Sequence, residues 1–409
     1  MVRPAALTRR PAPPGPFQPG FWRSPLRGPW LTALLGLALL VLLAIVIATG
    51  FLSHAAYNPD LGANAIVDRG RDLPLLSFGW PTRPVWLYAA TQGLHVTVGI
   101  VAVPLLLAKL WSVIPKLWAW PPVASPAQGL ERLTLVALVG SAAFQFATGI
   151  VNAQLWYPFH FGFVRAHYFG AVIFTAALLL HVAVKVPVMR EAARTRRAIM
   201  PAARPPHASA PDGTISRRGL FGLVAGAMGA LVVVTAGQST GGPLRRIAVL
   251  APRGGDDNDF PVNITAATAG IAPARTGTAW RLRIAGARTE QLDRDELLAL
   301  AQTSASLPIA CVEGWSTTQR WSGVRLADLA ARAGRPDATS VRVRSLQKRG
   351  KFAQVTLSGD QLRDPRSLLA LRVNGADLSL DHGFPARVIV PAAPGVHCTK
   401  WVAALEFAA

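Results

Sequence analysis

Residues 308–323 read PIACVEGWSTTQRWSG, a stretch in which an apolar run is followed by a polar segment that contains two tryptophans. Cys311 lies at the junction, and we expect the polar segment after it to form a loop. The 409-residue chain has one other cysteine, Cys398. Taken alone, the Cys311 thiol has four open interpretations: a buried core residue, half of a disulfide, a nucleophile or a metal ligand.

Around Cys311, residues 243–409 show a repeated alternation of apolar and polar residues, which predicts half-buried β-strands. The alternation is seen in residues 280–286, 341–346, 352–358, 369–375, 386–392 and 400–407. Residues 293–302 begin with acidic side chains and residues 325–334 end at a glycine, and both patterns are typical of helices. We therefore expect one α+β domain.

The first half of the chain has a different composition. The whole sequence is 51% hydrophobic and 15% charged, with a net charge of +21. Residues 1–250 hold 22 Lys and Arg against 6 Asp and Glu, whereas residues 251–409 hold 20 against 15. Basic proteins often bind nucleic acid, but here the positive residues lie between long apolar runs. This pattern favours a membrane as partner and no nucleic acid.

Four apolar segments are each long enough to cross a membrane as a helix. They are Trp30–Leu52, Val85–Leu110, Leu133–Val151 and Tyr168–Met189, and a shorter fifth segment covers Gly219–Gly237. We predict a membrane α-helical bundle of four spans over residues 30–190, followed by a fifth, anchoring span. The first span is too long for a cleavable signal peptide, and others follow it.

The distribution of basic residues predicts the orientation of these spans. Arginines and lysines are concentrated in residues 1–29, between the second and third spans, and after the fourth span. Such segments stay on the cytoplasmic side of a membrane. The sequence thus predicts a multi-pass plasma-membrane protein with a cytoplasmic basic tail, residues 1–29, and an extracytoplasmic domain, residues 243–409.

The fifth apolar segment begins as SRRGLFGLVAGAMGALVVVTA, residues 216–236. Ser-Arg-Arg before a weakly hydrophobic run is typical of a twin-arginine export signal. The alternative is an ordinary basic stop at the cytoplasmic face. We predict a twin-arginine-type signal and uncleaved anchor at residues 216–238, preceded by a Pro- and Ala-rich cytoplasmic linker, residues 191–215.

Four histidines lie in or at the ends of the predicted spans, where ionisable residues are costly and usually functional: His54, His95, His167 and His181. The last two are 14 residues apart, which places them on nearly one helix face, about 21 Å apart along the axis. This spacing suits one or two b-type haems held by paired imidazoles in a four-helix bundle. Interhelical hydrogen bonds are the alternative role, and we expect His160 at the membrane interface.

Two segments around these histidines resemble the b561-like, four-helix membrane cytochromes b. They are GLHVTVGI, residues 93–100, and AHYFGAVIFTAALLLHVAVKVPV, residues 166–188, and the resemblance covers about residues 30–190. It implies haem b as a cofactor. From their depths along the spans, we pair His54 with His167 and His95 with His181. A protein with a single haem is the alternative.

Four segments of the C-terminal region together resemble the molybdopterin-binding domain of the sulfite-oxidase fold. They are WRLRIAGA (280–287), PIACVEGWST (308–317), WSGVRLADLAARAG (321–334) and LDHGFPARVIVPAAPGVHCTKWVAALEF (380–407). The sequence looks most like exported bacterial relatives that pair with a haem-bearing membrane subunit, such as the methionine-sulfoxide reductase system. This chain resembles a fusion of the two parts.

The resemblance implies that Cys311 coordinates molybdenum beside the dithiolene of the pterin. A soft thiolate suits such a metal, although a disulfide with Cys398 stays open. Arg387 matches the family's phosphate-facing arginine, and its alternative is a surface strand residue. The other implied cofactor contacts are Asn263, His397, Thr399 and Lys400, and Lys400 is alternatively a solvated lysine.

The sequence therefore predicts a membrane-anchored, molybdopterin-dependent oxidoreductase of the oxygen-atom-transfer type. Haem would pass electrons between the metal and a membrane quinone, and the substrate would be a small molecule or an oxidised protein outside the cytoplasm. Basic residues that could favour an anionic substrate are Arg320, Arg344, Lys348, Arg349 and Lys351. Two other hypotheses stay open: an electron carrier whose outer domain lacks a working metal site, and a membrane-tethered binding domain.

Overall fold

A computed structural model describes residues 11–57, 64–67, 69–73, 76, 78–123, 125–194, 215–240, 242–252, 254 and 258–409. Most of the predicted linker, residues 191–215, lies outside this described part. The chain divides into two units. One takes in the described residues up to Ile45, Val98–Ile150 and Phe161–Leu231, and the other takes in Val46–Thr97, Val151–His160 and Val232–Ala409.

Five long helices account for most of the described residues before residue 240. They are α1 (Pro29–Tyr57), α2 (Leu87–Leu117), α3 (Pro126–Ala153), α4 (Phe163–Arg194) and α5 (Arg217–Thr235). Proline at the first position of α1 suits a helix start, because its missing N–H has no partner there. At the start of α3, the Ser125 hydroxyl accepts a hydrogen bond from the N–H of Gln128 at 3.2 Å. In the described part of the chain, five helices are long and apolar enough to cross a membrane, as predicted.

The second unit contains two five-stranded sheets in its described part. The strands are β1 (Leu282–Ala285), β2 (Thr289–Leu292), β3 (Thr303–Ala310), β4 (Ser316–Arg325), β5 (Ser340–Ser345), β6 (Gln354–Ser358), β7 (Leu368–Val373), β8 (Ala376–Asp377), β9 (Arg387–Ile389) and β10 (Val402–Ala408). One sheet has the order β2-β1-β10-β5-β6, and β1 and β10 are parallel. The other has the order β3-β4-β7-β8, and β9 pairs with β7.

Short helices complete this unit: α6 (Gly237–Thr240), α7 (Gly242–Ile247), α8 (Arg294–Ala299), α9 (Leu326–Arg332) and α10 (Gly359–Arg363). Asp293 caps the start of α8 in a capping box, in which its carboxylate accepts a hydrogen bond from the N–H of Glu296 at 2.9 Å. The apolar faces of the two sheets form one buried core together with α8, α9 and α10, and Leu282, Val343 and Leu369 are fully buried in it. The predicted α+β class of the C-terminal region is confirmed.

The polar segment after Cys311 is a strand, so our expectation of a loop was wrong. β4 pairs antiparallel with β3 from Thr303↔Gly323 to Ala310↔Ser316. Trp321 is fully buried and donates from Nε1 to the Leu307 carbonyl at 3.2 Å. Alternate polar side chains such as Arg320 face outward, because only one face of this strand is covered by the core.

The connection between α1 and α2 contacts the sheet region of the second unit at two points, one on strand β6 and one on the turn after β9. The Asn64 amide donates to the Thr356 carbonyl at 2.6 Å and accepts from the Thr356 N–H at 2.8 Å. Because β6 is an edge strand, this amide pairs with backbone groups that would otherwise face outward. Trp80 donates from Nε1 to the Ala392 carbonyl at 2.7 Å.

Candidate functional site

Cys311 lies in the tight turn between β3 and β4. Its N–H donates to the Trp315 carbonyl, and its carbonyl accepts from the Gly314 N–H, both at 3.0 Å. Gly314 has a φ of +95°, a conformation that glycine adopts readily and other residues rarely adopt. A Cβ at this position would lie 2.6 Å from the Cβ of Val96. The turn therefore fixes the backbone at Cys311, whose side chain is buried.

A cavity of about 150 Å³ lies beside the cysteine. Of the residues predicted from the sequence, it brings together Asn263, Cys311, Arg387, Thr399 and Lys400. The other predicted contact, His397, does not line it, although both of its neighbours do. The strands β3 and β9 and the loop before β10 position these side chains, which come from distant parts of the sequence.

The thiol of Cys311 has two polar neighbours. Asn263 donates from Nδ2 to the sulfur at 3.3 Å. Burial raises the pKa of the Cys311 thiol well above its usual range, and the adjacent Glu313 carboxylate raises it further. Cys398 also lines the cavity, and both cysteines are free thiols in the structure. The disulfide alternative therefore has no support from the geometry.

Arg387 is buried at the cavity wall rather than on the surface of its strand. Its terminal nitrogens donate to the carbonyls of His382 at 3.0 Å and Cys398 at 3.2 Å, and its guanidinium lies 5.3 Å from the ring centre of Trp321. Its Nε has no hydrogen-bond partner among the described residues. Burial lowers the pKa of Arg387 to about 10, so the side chain remains charged at neutral pH.

Thr399 and Lys400 present polar groups from the loop before β10. The Lys400 ammonium donates to the carbonyls of Asp381 at 2.9 Å and Ile264, and it lies 4.6 Å from the ring centre of Trp401. The hydroxyl of Thr399 is buried and has no hydrogen-bond partner in the described part of the chain. Lys400 therefore has a defined position and is not simply solvated.

The two histidines of this region have structural contacts. The ring of His397 is buried and forms a hydrogen bond with the backbone of Tyr57, and burial lowers the pKa of the ring to about 4. The His382 ring lies 3.0 Å from the Ser379 hydroxyl and 3.1 Å from the Phe260 carbonyl. Both rings are buried, and the bond of His397 to Tyr57 ties the loop before β10 to the end of α1.

The polar groups around the cavity fit an anionic organic cofactor that is bound through a metal. Buried polar atoms in folded proteins nearly always have partners. Here Arg387 Nε, Thr399 Oγ1 and the indole N–H of Trp315 belong to cavity-lining residues and have none among the described residues. Donors of this kind suit phosphate and pterin oxygens, and the thiol suits a soft metal.

Comparison with known proteins identifies this region. Residues 269–409 match the family model described as the oxidoreductase molybdopterin binding domain. We call residues 269–409 the molybdopterin-binding domain after the family that they match. Its segments are similar to rat mitochondrial sulfite oxidase, with 36% identity over 96 residues, which is 22% of this chain and 18% of that protein.

Two bacterial proteins are also similar to this molybdopterin-binding domain. The protein-methionine-sulfoxide reductase catalytic subunit MsrP of Burkholderia mallei is 31% identical over 144 residues, 31% of this chain and 43% of that protein. The uncharacterized oxidoreductase YuiH of Bacillus subtilis is 29% identical over 133 residues, 32% of this chain and 66% of that protein. The chain thus matches less than two thirds of the length of each of these relatives.

Two of the histidines in the long helices have hydrogen bonds that fix the ring tautomer. His95 Nδ1 lies 2.9 Å from the Val46 carbonyl, so this nitrogen carries the proton. His167 Nδ1 lies 2.9 Å from the hydroxyl of Thr148, which itself donates to the Phe144 carbonyl at 2.7 Å. In both rings the lone pair is then on Nε2, as in histidines that bind metals.

The other histidines have different surroundings. His54 Nε2 lies 3.0 Å from the carboxylate of Asp72, and this pair disagrees with binding of haem iron through Nε2. His181 is partly buried on α4, and His160 is exposed. Among the described residues, no three His, Cys, Asp or Glu side chains cluster as a metal site.

Several residues near the site were not predicted. Glu313 is buried beside Cys311, and Tyr157 donates to it at 3.2 Å. Two features of the sequence could have indicated these residues. Glu313 follows the cysteine by two residues, and Tyr157 lies in the aromatic segment after α3. The basic residues considered for an anionic substrate, Arg320, Arg344, Lys348 and Arg349, do not line the cavity, and the Lys351 side chain lies outside the described part.

Proposed function

We propose that this chain is a membrane-anchored, molybdenum-dependent oxidoreductase that transfers oxygen atoms at an extracytoplasmic site. The observation that carries the proposal is the buried Cys311 thiol beside a cavity to which Arg387, Thr399 and Trp315 bring unpartnered donors. The likeness of residues 269–409 to molybdopterin-binding oxidoreductases supports it. The substrate would be a small molecule or an oxidised protein.

The residues of the cavity would divide the work of holding the cofactor. Bound molybdopterin supplies the two-electron and oxygen-atom chemistry. Cys311 would ligate the metal as a thiolate, and because burial disfavours that charge, the positive metal must stabilise it. Arg387 and Lys400 would neutralise the phosphate, while Asn263 would orient the sulfur through its hydrogen bond.

Electrons would pass one at a time through b-type haem between the metal site and a membrane quinone. The b561-like motifs and the fixed tautomers of His95 and His167 support haem ligation. His181 completes the proposed ligand set. His54 enters it only if its pair with Asp72 opens.

The proposed topology uses the five long helices as spans, with the N-terminus in the cytoplasm of a plasma-membrane protein. Arg217 and Arg218 directly begin α5, which suits a twin-arginine signal that stays as an anchor. The bias of basic residues toward three connections supports this orientation.

Metal and haem analysis of the full-length protein, purified from membranes, tests the proposal. We expect molybdenum and haem b together in each chain, with substrate-dependent reoxidation of the reduced haem. Haem without molybdenum, from cells that make the cofactor, would instead indicate an electron carrier. Absence of both would indicate a membrane-tethered binding domain.

A further inference from the structure

The turn that carries Cys311 is held by a side chain from α2. Gln92 is buried and donates from Nε2 to the Val312 carbonyl. One turn further along α2, Val96 packs against Gly314, where no side chain larger than hydrogen would fit. Gln92 and the turn are 220 residues apart in the sequence. The contact therefore ties the backbone beside the metal ligand to a helix outside residues 269–409.

Two further segments hold the same turn. Ser239 of α6 donates from Oγ to the Gly314 carbonyl, and the Ser316 hydroxyl donates to the Ser239 carbonyl at 2.8 Å. From the connection after α3, Tyr157 donates to Glu313 at 3.2 Å. The turn is thus bonded on both sides of its glycine by groups from outside the molybdopterin-binding domain.

The buried partners of these bonds lie where water competes little, although Tyr157 itself is 48% exposed. Gln92 and Glu313 are 3% and 4% exposed, respectively. A buried hydrogen bond is costly to leave unmade, since the abandoned group has no solvent to replace its partner. The Gln92 bond therefore restrains the position of the turn more than an equivalent surface bond would, and the Ser239 and Tyr157 bonds add further restraints.

We infer that Gln92, Ser239 and Tyr157 are positioning residues for the metal ligand, so that the metal site is completed by segments outside the molybdopterin-binding domain. The inference rests on the proposed role of Cys311 as that ligand. These contacts set the position and accessibility of the Cys311 sulfur, which the core of the molybdopterin-binding domain alone does not fix.

The first test uses the full chain produced without molybdenum cofactor. The protein is treated with a maleimide, and the labelling rate of each cysteine is followed by peptide mass spectrometry. The variant Gln92→Ala with Ser239→Ala should label at Cys311 about tenfold faster than the parent, as expected for the loss of buried hydrogen bonds. Cys398, which lines the same cavity, should label at the parent rate.

Two controls make this comparison specific. The first control is Thr91→Ala, also on α2. The Thr91 hydroxyl bonds only to the carbonyls of Leu87 and Tyr88 in its own helix, so its removal should leave the labelling rates of Cys311 and Cys398 unchanged. Ser239→Thr keeps the hydroxyl and should retain protection in an otherwise native chain. Equal labelling rates of Cys311 in the parent and the double variant would overturn the inference. A rise in the labelling rate of Cys398 as large as that of Cys311 would also overturn it, because it would indicate that the whole domain is loosened.

The second test uses the chain with its cofactor bound. Electron paramagnetic resonance of the one-electron-reduced metal reports the metal–sulfur geometry. We expect shifted g-values in Gln92→Ala and Tyr157→Phe at an unchanged molybdenum content, and an unchanged spectrum in Thr91→Ala. Identical spectra in all variants would overturn the inference. A parent chain without molybdenum would overturn the proposed function, while the labelling comparison would still decide whether these residues position the thiol.

Discussion

The amide nitrogen of Asn263 lies 3.3 Å from the sulfur of Cys311. A hydrogen bond to sulfur withdraws electron density from it, so the bond tunes any metal that the sulfur ligates. Partners of this kind affect metal affinity or activity by about 10- to 100-fold when they are removed. Asn263 thus links the segment before β1 to the turn after β3.

Substitution of this asparagine should change the rate more than the metal content. For Asn263→Leu, we expect kcat to fall about 10- to 100-fold while the molybdenum content stays near that of the parent. Thr268→Ala, in the same segment but bonded only to Thr265, is the matched control. A kcat equal to that of the parent in Asn263→Leu would show that the hydrogen bond has no influence on turnover.

The two cysteines should differ in their effects. Cys311→Ser should abolish turnover, because no other side chain in the proposed site can replace its thiolate as a metal ligand, while much of the pterin remains bound through Arg387 and Lys400. Cys398→Ser should retain much of the activity. Thiol labelling under denaturing, non-reducing conditions should find two free thiols after cofactor release. A bridge between the two cysteines in active enzyme would contradict the ligand assignment.

The haem ligands can be tested by absorption spectroscopy. The purified chain should show a bis-histidine b-type spectrum. His95→Ala and His181→Ala should each remove at least one haem without preventing membrane insertion, and His160→Ala should leave the spectrum unchanged because that ring is exposed. A full haem complement in both His95→Ala and His181→Ala would contradict the assignment. His54→Ala would then show whether its pair with Asp72 excludes it from the ligand set.

Export of the C-terminal domain should depend on the arginine pair at the start of α5. A reporter fused to the C-terminus should be active only outside the cytoplasm. Arg217→Lys with Arg218→Lys should keep the reporter inside while the first four spans insert normally. An externally active reporter in a strain that lacks twin-arginine export would show that the pair is an ordinary basic stop.

A side chain at Gly314 should destabilise the turn for two separable reasons. Gly314→Ala places a Cβ at a positive φ, which costs about 1–3 kcal/mol, and also against Val96. Gly375→Ala is a matched control, because its φ is +88° but no atom lies within 4 Å of the added Cβ. We expect a lower Tm for Gly314→Ala than for Gly375→Ala. Equal values of Tm would show that the turn moves away from α2 at no cost.

The parts of the fold that were predicted correctly have local signals. A run of about 20 apolar residues indicates a membrane-length helix without reference to the rest of the chain. The alternation in β5 and β6 likewise reflects one buried face, whereas β7 is buried along almost its whole length. β4 was missed because its outward face is polar, and Ser, Thr and Gln in sequence favour a loop as readily as a strand.

Only the residues of the site that the family likeness covers were predicted. Cys311, Arg387 and Lys400 were identified from short segments with a known likeness, whereas Gln92, Tyr157 and Ser239 contact the turn across 220, 156 and 75 residues. No local pattern marks a glutamine for a carbonyl so distant in sequence. His397 was placed among the cofactor contacts because its segment resembles the family's cofactor-binding loop, but it does not line the cavity, and its ring bonds to the backbone of Tyr57.

Asn64 makes residues 243–409 a poor fragment for separate production. Its amide occupies both backbone groups of Thr356 on the outer strand of a sheet. A fragment cut at residue 243 would leave this strand open to pair with a second copy, and such edges are a common origin of aggregation. Expression of the whole chain, or of the domain with a charged substitution on β6, therefore avoids this open edge.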